Sequence, residues 1–304
     1  MASMNRAAID IGSNSILLTV CDAEGTVLHD EARVVGLGKG LGDRGLFAPD
    51  LLRAADAVLA DYVITAKKFS VEPWSVKAVA TSGARRAMNA PTWISRVQRS
   101  LGLRVRIASG AEEARLTWLG AVRDLLLPSG PLLVIDVGAG STEIVLGEGE
   151  HVVVSESIEV GTLRSTEKFL FGREPGLYDP GGLTRLRVHL DMALQRIVFD
   201  PRPAVVVGVA GTATTLATMV LGLAAWDGAA IHGTAVTREH LAHFVDRLLT
   251  ATPEQRRALA PAAPERADWL LAGAIILDGI LERTGRTQYI SSGGGLRFGL
   301  LARG

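Results

Sequence analysis

AAIDIGSNSILLTV at residues 7–20 and LLVIDVGAGSTEIVLG at residues 132–147 follow one pattern. Each runs apolar strand, aspartate, glycine turn, hydroxyl cluster, second apolar strand, the signature of a β-hairpin with a permissive turn. The copies lie about 125 residues apart, a domain-sized spacing that indicates a duplicated domain and not a solenoid repeat. The chain has 304 residues, more than one hydrophobic core usually organises. Two domains of related topology are therefore expected, 1–124 and 125–304, with the terminal stretch 296–304 free to pack back on the first. An interdomain cleft would hold the active site.

Working outward, the first half reads as βββαβαβ: a third strand at 31–38, a helix over 49–68, a strand at 76–83, a helix over 90–101 and a short strand at 104–110. Leu116, Leu119, Val122 and Leu126 recur at helical spacing, so residues 111–125 are expected to form the helix joining the domains. The second half continues with strands at 132–147 and 151–160, helices at 162–171 and 180–198, a strand at 204–211, and helices at 212–223, 237–250 and 265–283. A last strand, TQYISSGGG, leads to a terminal helix. Strands alternating with helices after an antiparallel hairpin define an α/β class with helices covering the sheets. The glycine-rich loop 36–48 reads as a surface turn.

Composition sets the outer bounds. Hydrophobic residues make up 48% and charged residues 21%, which suits a soluble globular chain and excludes extensive disorder. The net charge is zero, so there is no global footprint for nucleic acid or an anionic membrane, and any recognition of an anion such as phosphate has to come from local clusters and backbone amides. Cys21 is the only cysteine, so no internal disulfide and no thiolate zinc cluster can form. With no signal-like or spanning apolar segment evident, a cytoplasmic setting is expected. The apolar run Leu216 to Trp226 reads as buried helix.

The two glycine and hydroxyl turns are Gly12-Ser13-Asn14-Ser15 and Gly138-Ala139-Gly140-Ser141-Thr142. Each would leave successive backbone amides unpaired, forming a nest for phosphate oxygens. One such loop is ordinary turn chemistry; a pair at equivalent positions favours function. A third loop, Gly208 to Thr215, follows a strand and opens a helix, so Gly211 and Thr212 are placed to offer amides and a helix dipole to an anion. An ordinary helix capped by Thr212 accounts for it equally well. The Gly-Lys-Ser/Thr of a P-loop is missing, which disfavours Walker-type nucleotide binding.

Asp10, Asp136 and Glu143 accompany these loops. Carboxylates beside phosphate nests repel the substrate unless a divalent metal intervenes, and hard oxygen ligands suit magnesium, with manganese an alternative and a monovalent potassium an addition. A turn-forming role competes for Asp136. Glu112 and Glu113 open the joining helix, where acidic residues are also favoured by the helix dipole. Arg85 and Arg86 follow a strand end, where a forked donor could reach phosphate or simply face solvent. The six histidines show no metal spacing, and no Gly-x-Ser-x-Gly elbow occurs.

At this point seven stretches, AIDIGSNS, VVGLGKGL, VATSGARRAMN, IASGAEEARLTWLG, LVIDVGAGSTEIVLG, VGVAGTATTLA and ISSGGGLRFGLL, together resemble the exopolyphosphatase and guanosine pentaphosphate phosphatase (Ppx/GppA) family. They span nearly the whole chain in family order. The resemblance implies duplicated actin-like ATPase (ribonuclease H-like) domains and metal-dependent hydrolysis of terminal phosphate from inorganic polyphosphate. It implies that Glu113 activates the attacking water, that Asp136 and Glu143 are metal or catalytic carboxylates, and that Arg85 is a phosphate clamp. Ser13, Asn14, Ser15, Gly138, Gly140, Ser141 and Thr142 would bind phosphate or metal-bound water. Pairing into a homodimer is expected.

There are departures. Ala139 replaces the middle glycine of the second loop, and Phe298 stands where the closing motif usually has glutamate. Longer family members carry an added C-terminal helical region, including an HD-type domain, and this chain ends at Gly304. Guanosine pentaphosphate as substrate, a sugar or acetate kinase of the same superfold, and a non-catalytic polyphosphate or alarmone sensor are the competing functions.

Overall fold

The computed structural model describes residues 5–41, 45–149, 151–172 and 176–302. Residues 42–44 of the glycine-rich loop and 303–304 of the terminal stretch lie outside the described residues. The chain divides into two compact units: Met1–Gly120 with Leu296–Gly304, and Ala121–Gly295.

In the first unit, strands β1 (Arg6–Ile11), β2 (Ser15–Cys21) and β3 (Val27–Val34) are followed by helix α1 (Pro49–Lys68), strand β4 (Lys77–Ala80), helices α2 (Ser82–Arg86) and α3 (Ala90–Leu101), strand β5 (Val105–Ile107) and helix α4 (Gly110–Ala121). The sheet order is β3-β2-β1-β4-β5. β1, β2 and β3 pair antiparallel, whereas β4 and β5 run parallel to β1. Alternation along β1 explains both faces. Ala7, Ile9 and Ile11 enter one core with α1 and α3, while Ala8 joins a second, smaller core with Leu116 of α4 and Leu296, Leu300 and Leu301 of the terminal helix. Helix α1 matches its expected bounds because its ends are written locally: proline at the first turn with Asp50, then Lys67 and Lys68 in the last turn.

The second unit contains β6 (Leu132–Val137), β7 (Thr142–Glu148), β8 (His151–Ile158), α5 (Thr162–Ser165), α6 (Pro180–Leu194), β9 (Val205–Val209), α7 (Ala210–Leu221), α8 (Gly228–Ile231), β10 (Ala235–Thr237), α9 (Arg238–Thr250), α10 (Pro253–Leu259), α11 (Leu270–Thr284) and β11 (Gln288–Ser291); the terminal helix of the first unit is α12 (Leu296–Leu301). The sheet order here is β10-β11-β9-β6-β7-β8. Its β8-β7-β6-β9-β11 portion repeats the first unit's order, three antiparallel strands followed by parallel ones. Even the burial pattern of β6 repeats that of β1 position by position. This is the duplicated ribonuclease H-like order, an α/β fold of the actin-like class. α11 is buried along almost its whole length, which accounts for its apolar run over residues 270–277; the buried Asp278 that interrupts it is paired with Arg187 and Arg238.

Several expected boundaries move. The third strand covers Val27–Val34, not 31–38, because Val35, Gly36 and Gly38 donate their amides to the first glycine turn and so leave the sheet. A short helix, α2, follows β4 where only strand was expected. The joining helix stops at Ala121, and Leu126 is fully exposed instead of continuing its apolar face; Asp124 takes a left-handed φ of 59°, which no helix accommodates. The helix expected over 162–171 is one α turn followed by a π turn over Thr166–Leu170, with Phe171 N–H donating to Thr166 O. The helix expected over 265–283 is a 3₁₀ segment, Pro264–Trp269, continued by α11.

Candidate active site

Each glycine turn is held in the same way within its own unit. Gly12 N–H donates to Ser15 O at 3.0 Å and Gly138 N–H to Ser141 O at 2.9 Å, so both hairpins close with one turn geometry. In the first unit the carbonyl of Ser13 accepts from Gly38 N–H at 2.7 Å, and that of Asn14 from Val35 and Gly36 at 2.9 and 2.8 Å. In the second, Gly138 O accepts from Thr162 N–H at 2.9 Å, Ala139 O from Arg164 N–H at 3.1 Å, and Val137 O from the Thr212 hydroxyl at 2.7 Å. A trans peptide sets C=O and the next N–H on opposite sides. Pinning these carbonyls inward therefore turns the amides of Ala139 and Gly140 outward, and those of Asn14 and Ser15 likewise, the arrangement of an anion nest. Gly161 makes this possible: a β-carbon there would stand 2.5 Å from Gly140 C and Ser141 N.

The acids differ between the two copies. Asp136 pairs with Glu143 across β6 and β7, which puts both side chains on one face of the hairpin. Ser141 and Ser157 hydroxyls donate to Glu143 Oε1 at 2.8 and 2.9 Å. The equivalent partner of Asp10 is Leu17. Asp10 Oδ1 is buried and has no hydrogen-bond partner among the described residues. Burial pushes its carboxyl up to about 7, against the opposing pull of Arg297 and with a further push from Glu113. Within the second unit, the two facing carboxylates suit a hard divalent cation that retains water; within the first, the orphaned Asp10 oxygen is a donor of the same chemical kind. Among the described residues no group of three or more His, Cys, Asp and Glu side chains is gathered as a metal site.

Arg85, near the end of α2, donates to Ala108 O at 2.9 Å and to Glu113 Oε2 at 2.5 Å. The expected clamp and the expected base are thus partners of one another, both partly exposed. Some expected phosphate ligands have their hydroxyls committed elsewhere. Thr142 is buried and donates to Val160 O at 2.6 Å, and Thr212 is buried on Val137 O. Ser13 Oγ, by contrast, is buried between Gly38 and Gly83 with no hydrogen-bond partner among the described residues. Thr212 does not cap its helix, because α7 starts at Ala210 with Val209 as an N-cap that makes no side-chain bond. Ala210 itself takes a left-handed φ of 59°, strain of the kind stored where backbone must present itself to a ligand.

Three arginines escaped the sequence. The Arg266 guanidinium lies over Gly211, only 2.1 Å from where a β-carbon would be. Arg164 stands beside Gly140 and is paired with Glu159. Arg297, on α12, forms an ion pair with Asp30 at 2.8 Å and acts on Asp10. No spacing signals them, since each reaches its loop from a distant part of the chain.

Two ribonuclease H-like units, each with an aspartate at a strand end and an outward amide turn, define an actin-like phosphate-handling protein. The sequence pattern of the Ppx/GppA phosphatase family matches residues 19–303. The chain belongs to that family. It is 38% identical over 291 residues to exopolyphosphatase 2 of Mycobacterium tuberculosis, covering 91% of this chain and 90% of that protein. The crystal structure of the Aquifex aeolicus family member matches with a TM-score of 0.86 at 32% identity, over 98% of this chain and 96% of that one. An exopolyphosphatase from Cytophaga hutchinsonii shares the fold with a TM-score of 0.85 at 22% identity, over 98% and 96% of the two chains.

Proposed function

We propose that this chain is an exopolyphosphatase that releases terminal phosphate hydrolytically from inorganic polyphosphate. The observation that carries this is the Ala139 and Gly140 amide nest beside the paired Asp136 and Glu143, in a chain 38% identical to an exopolyphosphatase. The nest amides hold phosphate oxygens, and Arg266 and Arg164 stand by the neighbouring turns to add forked donors. Glu113 accepts the proton of the attacking water. Arg85 exchanges its bond to Glu113 for a phosphate oxygen, so substrate arrival releases the base. Asp10, Asp136 and Glu143 are the residues to hold magnesium, which when bound neutralises charge on the phosphoryl oxygens. No helix among the described residues is long and apolar enough to cross a membrane; a cytoplasmic homodimer is the setting this reading favours.

Glu113→Gln tests the assignment of the base. Turnover should fall by roughly 10²–10⁴, while affinity for polyphosphate in a filter-binding assay stays near wild type. Near-normal turnover would remove Glu113 from the chemistry.

A further inference from the structure

The first unit carries a second concentration of positive charge, away from its glycine turn. A pocket of about 480 Å³ is lined by Lys77, Arg104, Arg106, Arg115 and Glu112 over a floor that includes Leu116. Ala78 pairs with Val105 and Val79 with Arg106, so positions 77, 104 and 106 share one sheet face. Arg115 joins them from α4. The pocket therefore sits toward the starting ends of the parallel strands: Lys77 lies opposite Ala8, two positions before Asp10. The turn at 12–15, Arg85 and Glu113 all follow the other ends of those strands.

Four cations here face one carboxylate, and that carboxylate, Glu112, is already paired with Arg106. Lys77 donates to Leu300 O at 2.7 Å, which leaves two of its three donors. Its ammonium is held below the usual lysine range by partial burial and then by the charges of Arg6 and Arg106. Among the described residues neither Arg104 nor Arg115 has an ion-pair partner. Charged residues on an edge strand such as β5 protect it from pairing with another chain, and that suffices for Arg104 or Arg106 alone. It does not explain Lys77 on an inner strand or Arg115 on a helix, converging on the same concavity. These side chains are exposed, so water screens their mutual repulsion without removing it, and a bound polyanion is the direct relief.

We propose that this pocket is a second anion site, separate from the phosphate turns, that binds a short chain of linked phosphates. Arginine forks match phosphate oxygens two at a time, and the volume admits a compact anion and excludes a duplex. Two sources share this chemistry: a segment of polyphosphate, or the triphosphate of a nucleotide whose base could use the apolar floor. The site does not depend on the hydrolytic reading of the chain.

The test is calorimetric titration with imidotriphosphate, a triphosphate analogue that resists hydrolysis, on wild type, R104A/R115A, R104K/R115K, and R104Q and R115Q singly. Wild type should bind one equivalent more than R104A/R115A, and each single variant should weaken that equivalent by about tenfold, the worth of one charge-assisted contact. The lysine pair should recover part of it. The melting temperature without ligand should not fall in any variant, since the arginines removed repel their neighbours. Phosphate release from short polyphosphate by R104A/R115A should stay within about twofold of wild type, as expected for a site outside the phosphate turns. Repeating the titration with an imido nucleoside triphosphate and with long polyphosphate separates the sources: tighter nucleotide binding identifies a nucleotide, equal or weaker binding a phosphate chain. Equal stoichiometry and affinity in wild type and R104A/R115A would overturn the proposal. Retained pocket binding in a protein that releases no phosphate from any polyphosphate would sink the hydrolytic reading and leave the site standing.

Discussion

At the scale of single residues, the candidate site depends as much on groups that hold the turns as on groups that touch phosphate. Gly161 is the clearest case. A β-carbon there would collide with backbone atoms of Gly140 and Ser141, not with a side chain that could swing away. Gly161→Ala should therefore destabilise the protein by roughly 1–3 kcal/mol, the cost of overpacking a tight contact, and weaken phosphate binding by displacing the amides. Thermal denaturation and phosphate titration would check the two parts, and an unchanged affinity would show that the nest is not what binds. The sequence exposed Asp10, Asp136, Glu143, Glu113 and the glycine turns, because each sits at a strand or helix end where local pattern is strong. It hid the Arg85 to Glu113 bond and the placements of Arg164, Arg266 and Arg297. Those contacts join residues whose separation carries no periodicity, and only the folded sheet brings them together.

At the scale of elements, strands and long helices were legible where their ends carry chemistry, as in α1 and α3, and illegible where tertiary contacts set them. The last residues expected in the third strand instead serve the first turn; the π turn after α5 and the 3₁₀ start of α11 have no sequence cue. The terminal helix α12 shows how tightly elements meet: a β-carbon on Gly299 would stand 2.0 Å from Leu116 O on α4, while Arg6 and Lys77 donate to Leu301 O and Leu300 O at 2.7 Å each. Gly299→Ala should push α12 off α4 and lower the melting temperature by several degrees, corresponding to about 1–3 kcal/mol; a melting temperature equal to wild type would contradict this packing. His232, after α8, offers a pH test. Burial holds its imidazole below the usual 6.5, opposed by Asp124. The unfolded chain then binds the proton more readily, so the stability His232 contributes is present above pH 6.5 and is lost as pH falls from there through the folded value. The stability difference between wild type and His232→Gln, measured by urea unfolding, should shrink or reverse over that acid window. A difference independent of pH would show that His232 does not titrate differently on folding.

For the molecule as a whole, duplication is the main physical fact. Two sheets with one strand order carry the same Asp-x-Gly turn at the same strand end, and the second copy adds Glu143 where the first has Leu17. One ancestral plan thus supplies an orphaned buried carboxylate in one copy and a paired one in the other. The family fixes the reaction class as phosphatase chemistry, and the choice of substrate within it is the central claim. It is tested most directly by measuring phosphate release, with magnesium present, from long polyphosphate, short polyphosphate and guanosine pentaphosphate side by side. The account predicts that a polyphosphate is hydrolysed with the highest kcat/KM and that a chelator abolishes release. Preference for guanosine pentaphosphate, or full activity in excess chelator, would contradict it.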